Sequence, residues 1–361
     1  MRAITSKSFI CLAITLVLFP FLGFSNGEKT ISEAEKEFNP TDMIMHHIGD
    51  AHGWHFMGSG DNSVTLPLPV ILYTDSGLVT FMSSEFHHDI EGKHIVEKNG
   101  MRFVNFHEDI YQLNEGETAV KFNEAHYPIN ASKPLDFSIT KNVAAMLLTV
   151  IVMLLFFFKL ARFHKKNDRA PAGLNNVLES LVLFVRDEIA IPQIGKKKYA
   201  KFMPFLLTVF FFIWITNLLG LLPGAANVTG NISVTVALGL FTFIIILING
   251  NKDYWKHILW MPGVPTPVRL ILAPIELIGM FIKPIALMIR LFANITAGHI
   301  IILSLLGLIF ILESAGVAGI SVPFALFITI LELLVAFLQA FIFTMLSALF
   351  IGMAVAEHEH H

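Results

Sequence analysis

The apolar positions divide this chain into blocks. Residues 138–160, 202–222, 232–248, 270–312 and 323–355 are almost uninterrupted apolar runs, each near or above the length that crosses a bilayer. Five membrane segments are therefore expected. Residues 174–190 read differently. Leu174, Val177, Leu178, Leu181 and Val182 share one face at helical spacing, while Asn175, Asn176, Glu179, Arg186 and Asp187 are polar. That pattern predicts an amphipathic helix lying along the membrane interface. Upstream, VTLPLPVILYT and GLVTFMSSEF alternate with a period of two, and KHIVEKNGMRFVNF sets Asn99-Gly100 between two such runs, a hairpin signal. The expected fold is an all-α polytopic membrane protein, residues 138–356, preceded by a small β-rich domain over 26–137 whose start, EKTISEAEKEFNP, is flexible.

The first 25 residues have the layout of a secretory signal peptide. Arg2 and Lys7 precede the apolar run Phe9 to Phe24, and Gly23 and Ser25 form a small-x-small cleavage site. Cys11, the one cysteine, lies inside that run, so a chain cut after Ser25 has no thiol and no disulfide. The other end, EHEHH over 357–361, reads as a solvated tail.

Composition agrees with the block pattern: of 361 residues, 54% are hydrophobic and 15% charged, which places the chain among membrane proteins. The net charge of −3 says less than its distribution. Ten lysines and arginines fall between Lys159 and Lys201, and none in 223–231 or 313–322. The basic segment is thus expected on the cytoplasmic side, with the N-terminal domain outside and the C-terminus inside. A cleaved signal peptide requires the same orientation. The last two runs are too long for an upright span. As helices they would measure about 64 Å and about 50 Å, against a hydrocarbon core of about 30 Å. They must tilt steeply or break.

Candidate chemistry is concentrated in those two runs. Arg290 lies near the middle of the fourth, where a charge costs about 2.5–3.5 kcal/mol. Glu276 and Lys283 precede it at steps of seven and Asn294 follows at four, so all fall near one helical stripe. On antiparallel helices Arg290 comes level with Gln339, and His299 with Glu332. The first pair offers an amide to orient a guanidinium. The second offers two proton carriers at one depth, since histidine titrates near neutral pH and a desolvated carboxylate can approach it. Arg290 itself holds its proton. Its task would be to keep a passing carboxylate ionised and to block leakage between two half-paths. The plainer reading is a structural ion pair of Arg290 with Glu276 or Glu332, with Glu276 as an anchor, Lys283 snorkelling and Gln339 as helix–helix glue. The matched pairs weigh against it.

Outside the membrane runs, His46, His47, His52, His55, His87, His88 and His94 match no strong zinc spacing and read as a solvated histidine-rich surface, so no metal is expected. No nucleotide-binding motif is present. No cofactor and no nucleic-acid partner are expected.

RLFANITAGH, with Arg290, Asn294, Gly298 and His299, resembles the signature of subunit a of F-type ATP synthases, as does LELLVAFLQAFIF around Glu332 and Gln339. TNLLGLLPG, with Asn217 and Pro223, and LNNVLE at 174–179 are similar to earlier parts of the same family's pattern. The resemblance covers about residues 135–356. It implies that Arg290 is the gate opposite the carboxylate of a rotor c-subunit ring and that His299 and Glu332 relay protons in the outer half-channel. It also implies that Asn294, Gln339, Glu276, Lys283 and Asn217 line the proton route. The implied partners are the c-ring, the b subunits of the stator, the rest of the synthase and the lipid bilayer of a bacterial inner membrane, with ATP chemistry left to other subunits. Two positions depart from the pattern: Asn217-Leu-Leu-Gly220 lacks the carboxylate some members carry there, and Ala286 replaces a serine. The resemblance says nothing of the N-terminal domain. One alternative is a secondary ion transporter with its own arginine–carboxylate pair, but no internal repeat is visible. Another is a signalling or assembly protein whose outer domain binds a ligand or metal.

Overall fold

The computed structural model describes residues 49–57, 64–117, 119–123, 128–166, 173–222, 224, 226–260, 265–312 and 314–356. The expected signal peptide, the stretch EKTISEAEKEFNP, His46, His47 and the tail 357–361 lie outside the described residues. Among those described, five helices are long and apolar enough to cross a membrane. They are α1 (Lys141–Lys166), α4 (Tyr199–Gly220), α5 (Ile232–Asn249), α7 (Thr266–Leu312) and α8 (Ala315–Val355). Shorter helices lie between them: α2 (Leu174–Phe184), α3 (Ile191–Ile194) and α6 (Lys252–Leu259). The chain is a polytopic membrane protein. It divides into two compact units, one of Leu148–Leu222 and Thr229–His361, the other of Met45–Leu147 with Pro223–Val228.

The helical unit is centred on α4, which is apolar on every side. Half of its spanning window is buried, against 22% for α1. Leu206, Phe210 and Ile213 of α4 are fully buried together with Leu291 of α7 and Phe343 and Ile351 of α8. Phe337 packs edge-on against both Phe210 and Trp214, with centroids 5.8 and 6.0 Å apart. Such a helix has no polar face to expose, so its neighbours must enclose it.

The expected amphipathic helix over 174–190 is helical but not uniform. Residues Val185–Ala190 form a π-helical turn between α2 and α3, closed by Ile191 N–H donating to the Arg186 carbonyl. Pro192 explains it. A proline has no N–H to donate to the residue four back and crowds that carbonyl, here Glu188, and a wider turn relieves both. The turn also carries Val185, Ile189 and Ala190 into the core, all with no exposed surface. Gln193 then packs so tightly on α8 that a Cβ on Gly352 would overlap its carbonyl oxygen.

The last two helices are longer than the sequence pattern indicates. α7 has 47 residues and is continuous through Pro274 and Pro284. α8 has 41 and starts at Ala315, so residues 315–322, which lie outside the expected apolar run 323–355, are helical, and Pro323 lies inside the helix. A proline removes one N–H and crowds one carbonyl, here that of Gly319, a local cost that propagation over forty other positions outweighs. The far end of α8 is tied down. Lys198 Nζ and Asn251 Nδ2 donate to the Val355 carbonyl at 2.8 and 2.9 Å, and Asn251 N–H donates to Ala354. These bonds satisfy carbonyls a helix end leaves orphaned and fix α8 along its axis.

The second unit holds, among the described residues, nine short antiparallel strands. β1 (Gly53–Met57) pairs with β2 (Val64–Pro67). β3 (Pro69–Thr74) is flanked by β4 (Gly77–Met82) and β9 (Leu135–Asp136). β5 (Val96–Lys98), β6 (Met101–Phe106), β7 (Asp109–Leu113) and β8 (Ala131–Ser132) form a meander. Asn99 and Gly100 make the β5–β6 turn with φ of 53° and 76°, the left-handed pair a two-residue hairpin requires. Val70, Leu72, Phe81, Phe86, Phe103 and Ile110 form the core.

His52 departs from the expectation of a solvated histidine surface. It is 6% exposed, with Nε2 3.0 Å from Asp136 and Nδ1 3.8 Å from Glu108. Its backbone N–H also donates to Glu108. Burial alone would lower the His52 pKa, but the hydrogen bonds and charges of the two carboxylates raise it to about 9. Asp136 is likewise driven down to about 2 against its own burial by His52 and Ser138. The two shifts are two views of one interaction.

The stabilisation is complete only between the unfolded values, above 3.8 for Asp136 and below 6.5 for His52. It is lost as pH rises through about 9 or falls through about 2. His52→Ala leaves the half-buried Asp136 carboxylate without the imidazole it is bonded to and should cost about 3 kcal/mol. Amide exchange of β1 and β9 at pH 6 should then quicken about a hundredfold. Unchanged exchange would show that the pair adds nothing.

Candidate functional site in the α7–α8 hairpin

α7 exposes most of its surface: only 11% of its spanning window is buried within this chain. Arg290 lies on an exposed face beside Ile285, Ile289 and Ala293. Among the described residues its guanidinium makes no hydrogen bond and no ion pair. A charge so placed on an apolar helix calls for a counterpart, because lipid offers none.

The expected partnership of Arg290 with Gln339 is not what the hairpin makes. Gln339 is 2% exposed and its Oε1 accepts from Asn294 Nδ2 at 2.9 Å. The register of α7 on α8 sets Gln339 opposite Asn294, one turn along from Arg290. Asn294 thereby joins the exposed face that carries Arg290 to a buried amide inside the hairpin.

The expected pairing of His299 with Glu332 is present. His299 Nδ1 lies 3.5 Å from Glu332 Oε1, and Glu332 is 8% exposed. The ring has further neighbours that the sequence did not indicate. Nε2 is 3.1 Å from the Gly220 carbonyl at the end of α4, and Nδ1 is 3.2 Å from the Ile295 carbonyl. Carbonyls only accept, so Nε2 must carry a proton. Nδ1 then faces acceptors alone unless a second proton lies on it or on Glu332. Glu332 Oε1 is buried with no hydrogen bond among the described residues. An imidazole nitrogen and a carboxylate oxygen 3.5 Å apart in an apolar hairpin are groups of the two kinds that can carry protons.

Gly298 makes this approach possible. A Cβ there would overlap Glu332 Oε1 and lie 2.8 Å from Cδ. The obstruction is the tip of a flexible side chain, so Gly298→Ala should fold but push the carboxylate off His299. About a tenfold loss of proton pumping per assembled complex is expected. Parent-level pumping would show that this spacing is not critical.

The remaining expected residues are dispersed. Asn217 is 2% exposed, and its Oδ1 accepts from Thr229 Oγ1 at 2.7 Å. Thr229 sits in the 3-10 turn Val228–Gly230, and no local sequence pattern marks it. Glu276 and Lys283 are half-buried on α7. The Lys283 ammonium lies 5.4 Å from the Phe350 ring centroid, a cation–π contact. Glu276 acts on Tyr254 of α6, whose pKa is raised by burial first and by that carboxylate second. The stripe of three charges is therefore three separate settings on one helix.

A membrane unit whose α7–α8 hairpin sets a histidine beside a carboxylate and exposes an arginine without a partner among the described residues has the residue types of an ion-translocating membrane subunit. The family model described as ATP synthase A chain matches residues 143–352, and the chain belongs to that family. It is 48% identical over 246 residues to ATP synthase subunit a of Chloroherpeton thalassium, covering 66% of this chain and 73% of that one. To subunit a of Chlorobium phaeobacteroides it is 47% identical over 281 residues, 76% of this chain and 77% of the relative. To that of Myxococcus xanthus it is 49% identical over 233 residues, 63% and 76%. Residues 43–137 match a separate model, a domain of unknown function (DUF8433).

Proposed function

We propose that Arg290 is the electrostatic gate of the proton path in this subunit, and that the carboxylate it serves belongs to a rotor ring of c subunits. The chain is the proton-translocating stator subunit of an F-type ATP synthase and works with the rest of that complex. The observation that carries the gate is the exposed guanidinium, unpartnered among the described residues, on a helix that buries little of itself in its own chain. A fixed positive charge in a low-dielectric setting keeps a nearby carboxylate ionised and, because it does not release its proton, seals one half-path from the other.

In this reading protons enter from outside through the pair His299–Glu332, with Asn217 and the Gly220 carbonyl beside the route. They pass to the ring carboxylate, travel with the ring, and leave on the cytoplasmic side past Asn294, Gln339, Glu276 and Lys283. Residues 26–137 are a β-rich extracytoplasmic domain, α2 lies at the cytoplasmic interface, and α7 and α8 cross steeply inclined against the ring. The b subunits hold the chain still. The basic segment from Lys159 to Lys201 supports this orientation. The test is ATP-driven proton pumping in inverted membrane vesicles with Arg290 replaced. Pumping at the parent level would return Arg290 to a structural role.

A further inference from the structure

The sheet of β3, β4 and β9 turns one face to its core and the other outward. Val70 and Leu72 of β3 and Val79 and Phe81 of β4 point inward and are buried. The alternate, outward positions hold Tyr73 on β3, Leu78, Thr80 and Met82 on β4, and Leu135 on β9. Register joins them across the strands, since Tyr73 is paired with Leu78 on one side and with Leu135 on the other. Leu78 and Leu135 are each 62% exposed. Phe137, two residues beyond Leu135 and 64% exposed, extends the row, and its N–H donates to the Ile71 carbonyl at 2.8 Å. An antiparallel sheet with one face on its core ordinarily carries polar residues on the other. Here no outward position of β3, β4 or β9 is charged. A contiguous apolar face of this kind marks a contact surface.

What covers the face follows from what it is tied to. Every residue from Phe137 to Asn142 is hydrogen-bonded. Ser138 Oγ accepts from Ile71 N–H, and Ile139 N–H donates to the Pro69 carbonyl. Thr140 Oγ1 and the N–H of Asn142 donate to the Asp50 carboxylate, and Lys141 N–H donates to the Ala51 carbonyl. Lys141 and Asn142 begin α1 and are buried, and α1 as far as Leu147 is part of the strand-bearing unit. The face and the first turns of this membrane helix therefore move as one body. Phe137 precedes α1 by four residues, at most about 14 Å of chain. Leu147, half-exposed, already lies on the apolar surface of α1, whose spanning window is only 22% buried. We propose that the outward face of β3, β4 and β9 is a membrane-contact surface, seated in the headgroup and acyl boundary of the bilayer beside the start of α1. Tyr73 and Phe137 are of the aromatic kind that settles at that boundary, and the Tyr73 hydroxyl can stay with the headgroups. An uncharged apolar face gains by leaving water there and needs no matching side chains from a partner. The inference concerns the strand-bearing unit alone. It depends neither on the proton path nor on which side of the membrane the unit lies.

The experiment uses the assembled complex in phosphatidylcholine vesicles, with Cys11→Ser removing the one native thiol. Leu78→Cys and Thr80→Cys place a fluorophore on the face. Glu97→Cys places it at an exposed position of β5, in the other sheet of the same unit. Quenching by a nitroxide carried on the lipid is compared with quenching by iodide in the water. The Leu78 and Thr80 labels should lose most of their emission to the lipid nitroxide, at a depth of about 5–10 Å into the boundary, and little to iodide. The Glu97 label should do the reverse. Quenching of the Leu78 and Thr80 labels by iodide alone would show a face in water and overturn the inference. Quenching by neither would show that protein covers the face, whether another subunit, a second copy of this chain or its residues 26–48, and would overturn it too. So would equal lipid quenching at all three positions, or loss of the complex in both face variants, which would mean that the face packs on protein.

Discussion

Inverted vesicles carrying Arg290→Ala should show no ATP-driven acidification above background, with the complex still assembled. Arg290 is exposed on α7 and, among the described residues, has no ion pair or hydrogen bond. Its removal therefore orphans no buried charge in its own chain, and the fold loses little. What is lost is the field at the proposed ring contact. Removing one preorganised electrostatic contact of this kind costs about a hundredfold or more in rate. Passive proton leak should rise as well, because the seal between the half-paths goes with the charge. Arg290→Lys should rescue poorly, since an ammonium is more strongly hydrated and releases its proton more readily in apolar surroundings. Acidification is read with a pH-sensitive dye and assembly by native electrophoresis. Pumping at the parent level would reject the gate.

Glu332→Gln should lower pumping about a hundredfold, the scale of a lost general acid–base group, again without loss of the complex. Glutamine fills the same volume beside Gly298, and its amide can bond to the ring of His299 3.5 Å away. It cannot take up and release a proton. The same exchange distinguishes relay from scaffold. A static hydrogen bond would survive in the amide and leave the rate within a factor of about two. Glu332→Asp keeps the acid but draws it back by one methylene, so an intermediate rate is expected. A Glu332→Gln complex that pumps at the parent rate would show that protons bypass this pair.

Arg290 could be found from sequence because a guanidinium in an apolar run contradicts its surroundings, and the contradiction needs no coordinates. The His299–Glu332 pair could be found because helices advance by a fixed rise, so position along an antiparallel hairpin can be counted. The same counting misplaced Gln339. A residue number gives depth to within about a turn, and one turn separates Arg290 from Asn294, the residue that Gln339 bonds. The start of α8 was misjudged for a related reason. Pro323 looks like a boundary, but a proline costs one bond and α8 has 41 residues to set against it.

By itself the sequence determined the five membrane helices, the uneven spread of charge along the chain and the residue types able to carry protons. Each follows from local rules: hydropathy over a fixed length, a fixed helical period, a charge in hydrocarbon. Only the tertiary structure decided that the Gly220 carbonyl meets His299, that Gly298 yields its space to Glu332, and that Thr229 holds Asn217. It also decided that Trp54 grips Gly224 and that His52 is buried between two carboxylates. Most of these contacts involve a main-chain atom or a small residue and join positions that no local rule brings together. Backbone carbonyls and glycines look alike in every sequence, and packing alone selects which of them meet.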